Sequence, residues 1–124
     1  MKYLLDTCVL LWTLQGEVAK LGRFAPIIQD EKQIIVVSVV SYWEIMIKQS
    51  VGKLDIPDGF LSEIDALGFL WMNMELNHIE TLKTLPLIHH DPFDRLLIAQ
   101  SLADDLCLLT DDQKILQYEL RKLK

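Results

Sequence analysis

Four acidic residues stand out because, once the chain folds, each would lie near the same edge of the predicted sheet. Asp6 follows a short apolar run, and Asp112 follows the apolar run that ends at Thr110. Glu44 and Asp94 lie in predicted helices, in the turns that begin near that edge. Carboxylates gathered from such distant parts of a chain would repel one another unless a cation lay among them. The pattern therefore indicates a metal-dependent site.

Apolar runs and helical segments alternate along the 124-residue chain and predict how these acids are positioned. The predicted strands cover residues 3–5, 34–37, 69–74 and 106–109, and the main predicted helices cover residues 9–14, 39–51, 60–67, 76–85, 92–102 and 113–119. Strands that alternate with helices predict a parallel sheet covered on both faces. Ligands of such sheets bind beyond the carboxyl ends of the strands. We therefore expect one edge to hold all four acids.

The composition indicates one globular domain, residues 1–124, and limits its partners. Apolar residues make up 51% of the chain and charged residues 24%, as in ordinary globular proteins. The longest uncharged stretch, residues 33–43, is too short to span a bilayer, and no signal-peptide region precedes Asp6. We therefore expect a cytoplasmic protein and no membrane. The net charge of −6 argues against non-specific coating of nucleic acid, which depends on Lys and Arg.

Each acid also has a structural explanation that the sequence leaves open. Asp6 is a candidate N-cap for the helix that follows it. Glu44 lies among apolar residues, where a carboxylate is costly to bury, and its structural alternative is an ion pair with Lys48 one turn later. Asp91 and Asp94 compete for one role. We favour Asp94 as the ligand and Asp91 as the helix cap or a supporting residue.

Asp111 and Asp112 pose the same choice after the last predicted strand. We favour Asp112 for the site, with the hydroxyl of Thr110 as support. Basic residues on the elements that carry the acids are the candidate phosphate contacts, namely Lys48, Lys53 and Arg95.

Other reactive side chains are predicted to be structural. His89 and His90 precede a helix, where histidines are most often surface residues. Cys8 and Cys107 are predicted to be two reduced thiols in the core, and a nucleophilic role for Cys8 lacks a nearby histidine in sequence. The tryptophans lie in apolar runs and are predicted to be core residues, and the basic end, residues 121–124, is predicted to be solvated. The tryptophans are Trp12, Trp43 and Trp71.

Four segments, taken in order, carry a family resemblance. They are residues 4–7 (LLDT), 41–45 (SYWEI), 91–100 (DPFDRLLIAQ) and 109–112 (LTDD). Together they resemble a PIN domain and, more narrowly, the VapC-type toxins of bacterial toxin–antitoxin pairs. No single segment is distinctive alone, but their order at this chain length is specific, and the resemblance covers nearly the whole chain.

The resemblance implies a three-layer α/β/α fold with a central parallel sheet of four to five strands. It implies a hydrolase, an endoribonuclease that uses Mg²⁺ or Mn²⁺ held by acids matching Asp6, Glu44, Asp94 and Asp112, with Asp91 competing for one position. It also implies a small VapB-like antitoxin and a homodimer, neither of which follows from the physics of the sequence. We hypothesise hydrolysis of the RNA backbone by metal-activated water.

Other functions remain open at this stage. A PIN-type nuclease that processes RNA or acts on DNA would carry the same acids. A receiver domain has a similar length and an acidic magnesium site, but it needs an acidic pair after the first strand, where Thr7 and Cys8 follow Asp6.

Overall fold

The computed structural model describes residues 2–120, and within them the chain forms a four-stranded sheet. The strands are β1 (Lys2–Leu5), β2 (Ile34–Ser38), β3 (Leu70–Met72) and β4 (Cys107–Leu109). Their order is β3-β2-β1-β4, and neighbouring strands pair in parallel throughout. The predicted parallel sheet is confirmed, with β1 in its interior.

Helices connect the strands, as parallel pairing requires. They are α1 (Thr7–Leu14), α2 (Val18–Leu21), α3 (Ala25–Gln29), α4 (Val39–Ser50), α5 (Phe60–Ala66), α6 (Leu76–Thr81) and α7 (Pro92–Ala103). Single 3₁₀ turns occur at Gly22–Phe24, Leu82–Thr84 and Ile115–Gln117. Ser38 caps α4 by accepting a hydrogen bond from Val40 N, as its side chain predicts.

The helix predicted for residues 113–119 is wrong, because only the turn at Ile115–Gln117 forms there. Tyr118 follows it in an extended conformation, with a buried ring. Its hydroxyl donates to Pro86 O at 2.9 Å. The helix cannot continue past Gln117, because Tyr118 is extended with its ring in the core.

Two apolar clusters lie on opposite faces of the sheet and give the fold its three layers. Leu5 packs with α1, α3 and α5 in one cluster. The preceding residue, Leu4, packs with α7 in the other. Ile35 and Val36 divide between the two clusters in the same way. Alternation along a strand places successive side chains on opposite faces, so the three-layer α/β/α architecture is confirmed.

The predicted burial of Cys8 and of two tryptophans is wrong. Only Cys107 is buried, while Cys8 is exposed, because α1 turns Val9 towards the sheet and Cys8 away from it. Trp43 is 49% exposed and Trp71 36% exposed. Trp43 packs edge-on against a ring of α7, and Trp71 lies on the edge strand β3.

Trp12 is partly buried against one of the apolar clusters, in keeping with its predicted core position. The basic end, residues 121–124, lies outside the described residues. None of the helices in residues 2–120 is long and apolar enough to cross a membrane.

Candidate metal centre

Asp6 lies between β1 and α1, and both oxygens of its carboxylate accept hydrogen bonds. Oδ1 accepts from Val9 N at 2.7 Å and caps α1. Oδ2 accepts from Thr110 Oγ1 at 2.5 Å. Burial raises the pKa of Asp6 to about 6, although both hydrogen bonds lower it and the charge of Asp112 raises it further. The fold therefore holds the Asp6 carboxylate where water solvates its charged form poorly.

Glu44 is 4% exposed and lies in the second turn of α4. Its Oε1 accepts a hydrogen bond from Thr7 Oγ1 at 2.7 Å, and its Oε2 lies 2.8 Å from Lys48 Nζ. The ion pair that helical spacing predicts is thus present. The hydrogen bond to Glu44 raises the pKa of Lys48. Thr7 was not predicted as a site residue, since its partners lie on another helix.

Asp91 and Asp94 have different positions at the start of α7. Asp91 Oδ1 accepts from Asp94 N at 3.0 Å and caps the helix. The Asp94 carboxylate faces His89, with Oδ2 2.8 Å from Nε2. Burial raises the pKa of Asp94 to about 7, with the charges of Asp91 and Glu44 adding to the shift and His89 opposing it. Asp91 therefore has the structural role that its position predicts.

Asp112 lies in the turn that follows β4. Its Oδ1 accepts from Lys114 N at 2.9 Å and from Ile115 N at 3.2 Å. Its Oδ2 faces the site, 3.7 Å from His89 Nε2. The neighbouring Asp111 is more exposed and pairs with Arg23 at 3.0 Å. The backbone bonds of the turn thus fix Asp112 with one oxygen turned inward.

A cavity of about 500 Å³ joins these acids. Its acidic lining comprises Asp6, Glu44, Asp91, Asp94, Asp111 and Asp112, and its remaining lining comprises Thr7, Cys8, Leu11, Trp12, Ile45, Lys48, Lys53 and Leu54. The acids come from the ends of β1 and β4 and from the turns of α4 and α7 nearest those ends. The fold therefore brings all four predicted site acids to one cavity at the carboxyl edge of the sheet.

The surface location predicted for His89 is wrong, because its side chain is only 12% exposed. Its Nε2 and one oxygen each of Asp94 and Asp112 lie within 4.8 Å of one another, a spacing that suits the ligands of one metal ion. The loop that carries it is held by Tyr118, whose hydroxyl accepts from His89 N at 2.8 Å. The next residue, His90, is exposed, as predicted.

Arg95 contacts the loop before α7 and does not line the cavity. Its Nη1 donates to Pro86 O at 3.1 Å, to His89 O at 3.2 Å and to the Tyr118 hydroxyl at 3.2 Å. The cations that line the cavity are Lys48 and Lys53. Lys48 is paired with Glu44, whereas no carboxylate of residues 2–120 lies within 4 Å of Lys53 Nζ. Lys53 is thus the better placed of the two for a phosphate.

The donors present fit a divalent cation. Hard cations prefer carboxylate oxygens, and here several carboxylates face one cavity with only two lysines in its lining. The raised pKa values of Asp6 and Asp94 show that positive charge at this point would stabilise their ionised forms. Although Cys8 is exposed, partial desolvation of its thiol at the cavity wall and the charge of Asp6 raise its pKa to about 11. This argues against a thiolate nucleophile at neutral pH.

Comparison with known proteins agrees with this architecture. The family described as PIN domain matches residues 3–120. VapBC2 from Rickettsia felis, bound to a DNA fragment from its promoter, has a similar structure, with a TM-score of 0.74 and 15% sequence identity over 99% of this chain and 98% of that chain. No curated protein matches the sequence.

Two further solved structures are similar in fold. A toxin–antitoxin complex from Klebsiella pneumoniae has a TM-score of 0.64 and 19% identity, covering 98% of this chain and 96% of that chain. VapBC-1 from nontypeable Haemophilus influenzae has a TM-score of 0.61 and 15% identity, covering 100% of this chain and 98% of that chain. At such identities the likeness concerns the fold.

Proposed function

Because the chain belongs to the PIN domain family, a family of nucleases, we propose that it is a metal-dependent endoribonuclease and the toxin of a VapBC-type toxin–antitoxin pair. The observation that carries the proposal is the convergence of Asp6, Glu44, Asp94 and Asp112 on one cavity. These four are the proposed cation ligands. Mg²⁺ or Mn²⁺ bound among them would supply an activated water and positive charge for hydrolysis of a phosphodiester bond.

The surrounding side chains keep the acids in position. Thr110 holds the carboxylate of Asp6, and Thr7 orients that of Glu44. Asp91 fixes the first turn of α7, from which Asp94 projects. Such outer contacts restrict the rotamers of the proposed ligands, so less order has to be imposed when a cation binds.

The lysines of the cavity provide contacts for the RNA backbone. The chain is acidic overall, so long-range attraction does not hold RNA on its surface. Local contacts must do so, and Lys53 lines the same cavity as the acids. Lys48 is committed to Glu44 and serves the site first as a counter-ion.

The proposed partners are a small antitoxin and a second copy of the chain. The similar structures from Klebsiella pneumoniae and Haemophilus influenzae are a toxin–antitoxin complex and a VapBC protein, which supports the first partner. An exposed apolar row along α4 and the residue that ends it supports the presence of a protein partner. The row comprises Trp43, Ile47 and the C-cap residue Val51, each at least 38% exposed. Cytoplasmic location stays a prediction.

The proposal is tested by incubating purified, partner-free protein with a pool of structured and unstructured RNAs. Reactions contain Mg²⁺, Mn²⁺ or EDTA, and an equivalent DNA pool runs in parallel. We expect RNA cleavage that requires a cation and is lost in Asp6→Asn and Asp94→Asn. The exposed Asp58→Asn serves as the matched control and should cleave normally.

Three results would contradict the proposal. Cleavage at the wild-type rate in folded Asp94→Asn would remove this residue from the site. Cleavage of the DNA pool alone would show that the protein is a DNA nuclease and not a ribonuclease. Failure of the folded protein to bind either cation would remove the metal-dependent mechanism altogether.

A further inference from the structure

His89 Nε2 lacks a hydrogen-bond partner although it is buried. Among the buried side-chain nitrogens and oxygens of residues 2–120, it is alone in this respect. Buried polar atoms are almost always satisfied, and an exception at a functional site calls for an explanation such as a bound ion.

The distances from His89 Nε2 to two neighbouring carboxylate oxygens favour a bound ion as the explanation. Nε2 lies 2.8 Å from Asp94 Oδ2 and 3.7 Å from Asp112 Oδ2. The shorter distance would suit a hydrogen bond, yet none forms, because the ring N–H is not directed at that oxygen. Neighbouring ligands of one octahedral cation, each bound at about 2.1 Å, lie about 3 Å apart. The close approach without a hydrogen bond therefore suits two ligands of a shared ion.

Hydrogen bonds hold the backbone of His89 at both its N–H and its carbonyl group. Its N–H donates to the Tyr118 hydroxyl at 2.8 Å, and its carbonyl accepts from Arg95 Nη1 at 3.2 Å. Tyr118 is 2% exposed, so this anchor belongs to the core. A backbone held in this way limits the positions that the ring can take, as a ligand position requires.

We infer that His89 is a nitrogen ligand of the cation, beside Asp94 and Asp112, and that it gives the site a preference for Mn²⁺ over Mg²⁺. The inference rests on the metal-dependent nuclease proposed above. Mg²⁺ favours oxygen ligands and retains its waters, whereas imidazole nitrogen suits transition metals and binds them in the Irving–Williams order. One imidazole among the carboxylates therefore stabilises bound Mn²⁺ more than bound Mg²⁺.

The second ring nitrogen sets a condition on this binding. Nδ1 accepts the backbone N–H of Asp91 at 3.3 Å, which leaves the ring proton on Nε2 when no cation is bound. A cation held at Nε2 would require the ring proton on Nδ1 instead, and the contact with Asp91 N would be given up. At 3.3 Å this contact is longer than the usual hydrogen bond of about 2.9–3.0 Å, and a rotation of the ring would be needed to separate the two N–H groups that would then face each other.

The test compares cation binding by wild-type protein, His89→Ala and His90→Ala, each shown to be folded by circular dichroism. His90 is the matched control because it is the next residue and is exposed. Calorimetry should show Mn²⁺ affinity at least about tenfold weaker in His89→Ala, with a smaller change for Mg²⁺. His90→Ala should bind both cations as the wild type does.

Pulsed electron paramagnetic resonance of the Mn²⁺-loaded wild type gives a readout independent of any variant. We expect a directly bound nitrogen, which disappears in His89→Ala and persists in His90→Ala. Bound Mn²⁺ without that nitrogen signal overturns the inference, because His89 would then lie beside the cation site without binding the ion. The proposed nuclease would be unaffected by that result. Failure of the wild type to bind either cation overturns both.

Discussion

Thr110 Oγ1 donates a hydrogen bond of 2.5 Å to Asp6 Oδ2, although the two residues are 104 positions apart in the chain. The contact follows from the sheet, because β1 and β4 pair with Leu5 opposite Leu109. Each residue of the contact comes directly after its strand. The pairing of β1 with β4 therefore orients the carboxylate of Asp6. The positions of α4, α7 and the turn after β4 bring the remaining acids close to it.

Thr110→Val should weaken cation binding by removing this donor while keeping the side-chain shape. Since the hydrogen bond lowers the pKa of Asp6, its loss should raise that pKa above about 6. Relative to the wild type, we expect the Mn²⁺ affinity of Thr110→Val to be about tenfold weaker. The difference between variant and wild type should be larger at pH 6 than at pH 8. Calorimetry at both pH values measures this, with the exposed Thr84→Val as control. Equal affinities for Thr110→Val and the wild type at both pH values would contradict the assigned role.

The cation-free protein should lose stability as the pH rises from about 4 to about 7. The pKa values of Asp6 and Asp94 are about 6 and about 7 in the fold against 3.8 in their ordinary state, so the folded chain binds more protons in this window. Stability falls with pH wherever the folded state binds more protons. Asp94→Asn should show a shallower fall in the free energy of unfolding than the wild type, measured by urea titration in EDTA. A fall as steep as that of the wild type would refute this account.

Lys53→Ala should raise the KM for RNA and leave kcat nearly unchanged. Lys53 lines the cavity and has no carboxylate partner among the described residues, so its substitution leaves the acids undisturbed. The slope of log affinity against log salt should become shallower by about 0.7, as expected for one phosphate contact to a single strand. Lys48→Ala is the contrast, because it removes the partner of buried Glu44 and should lower kcat as well. An unchanged salt slope in Lys53→Ala would exclude the phosphate contact.

Tyr118→Phe should destabilise the fold and weaken Mn²⁺ binding together. The hydroxyl accepts from Ile88 N and His89 N and donates to Pro86 O. Its removal leaves backbone groups without partners, at a cost of about 1–3 kcal/mol in the free energy of unfolding. Urea titration and calorimetry measure the two effects. Tyr42→Phe is the control, since the ring contacts of Tyr42 do not involve its hydroxyl, and a similar loss there would argue against a specific anchor.

The sequence predicted the parts of the site that depend on local rules. Apolar runs located the strands, and the sheet rule then placed Asp6 and Asp112 at one edge. Asp91 followed by a proline signalled a helix start, which Asp91 caps. Helical spacing likewise predicted the pair of Glu44 with Lys48.

The parts that were missed depend on contacts between distant segments. The ring of His89 lies beside Asp94 and Asp112, and Tyr118, 29 positions later, holds its backbone. The same hydroxyl engages Arg95. Nothing in the local pattern of the loop signals either contact. The exposure of Cys8 depends on how α1 is rotated about its axis, and the position of Trp43 depends on how α4 packs against α7.

The central place of β1 bears on when, during synthesis, the protein gains its activity. A nascent chain that ends within α7 already contains Asp6, Glu44 and Asp94, but it has not yet produced β4. Without β4, one side of β1 is unpaired and Thr110, the donor to Asp6 Oδ2, is absent. This long-range pairing can form only after β4 has been synthesised. We therefore expect the ribosome to carry an inert chain until the final strand emerges.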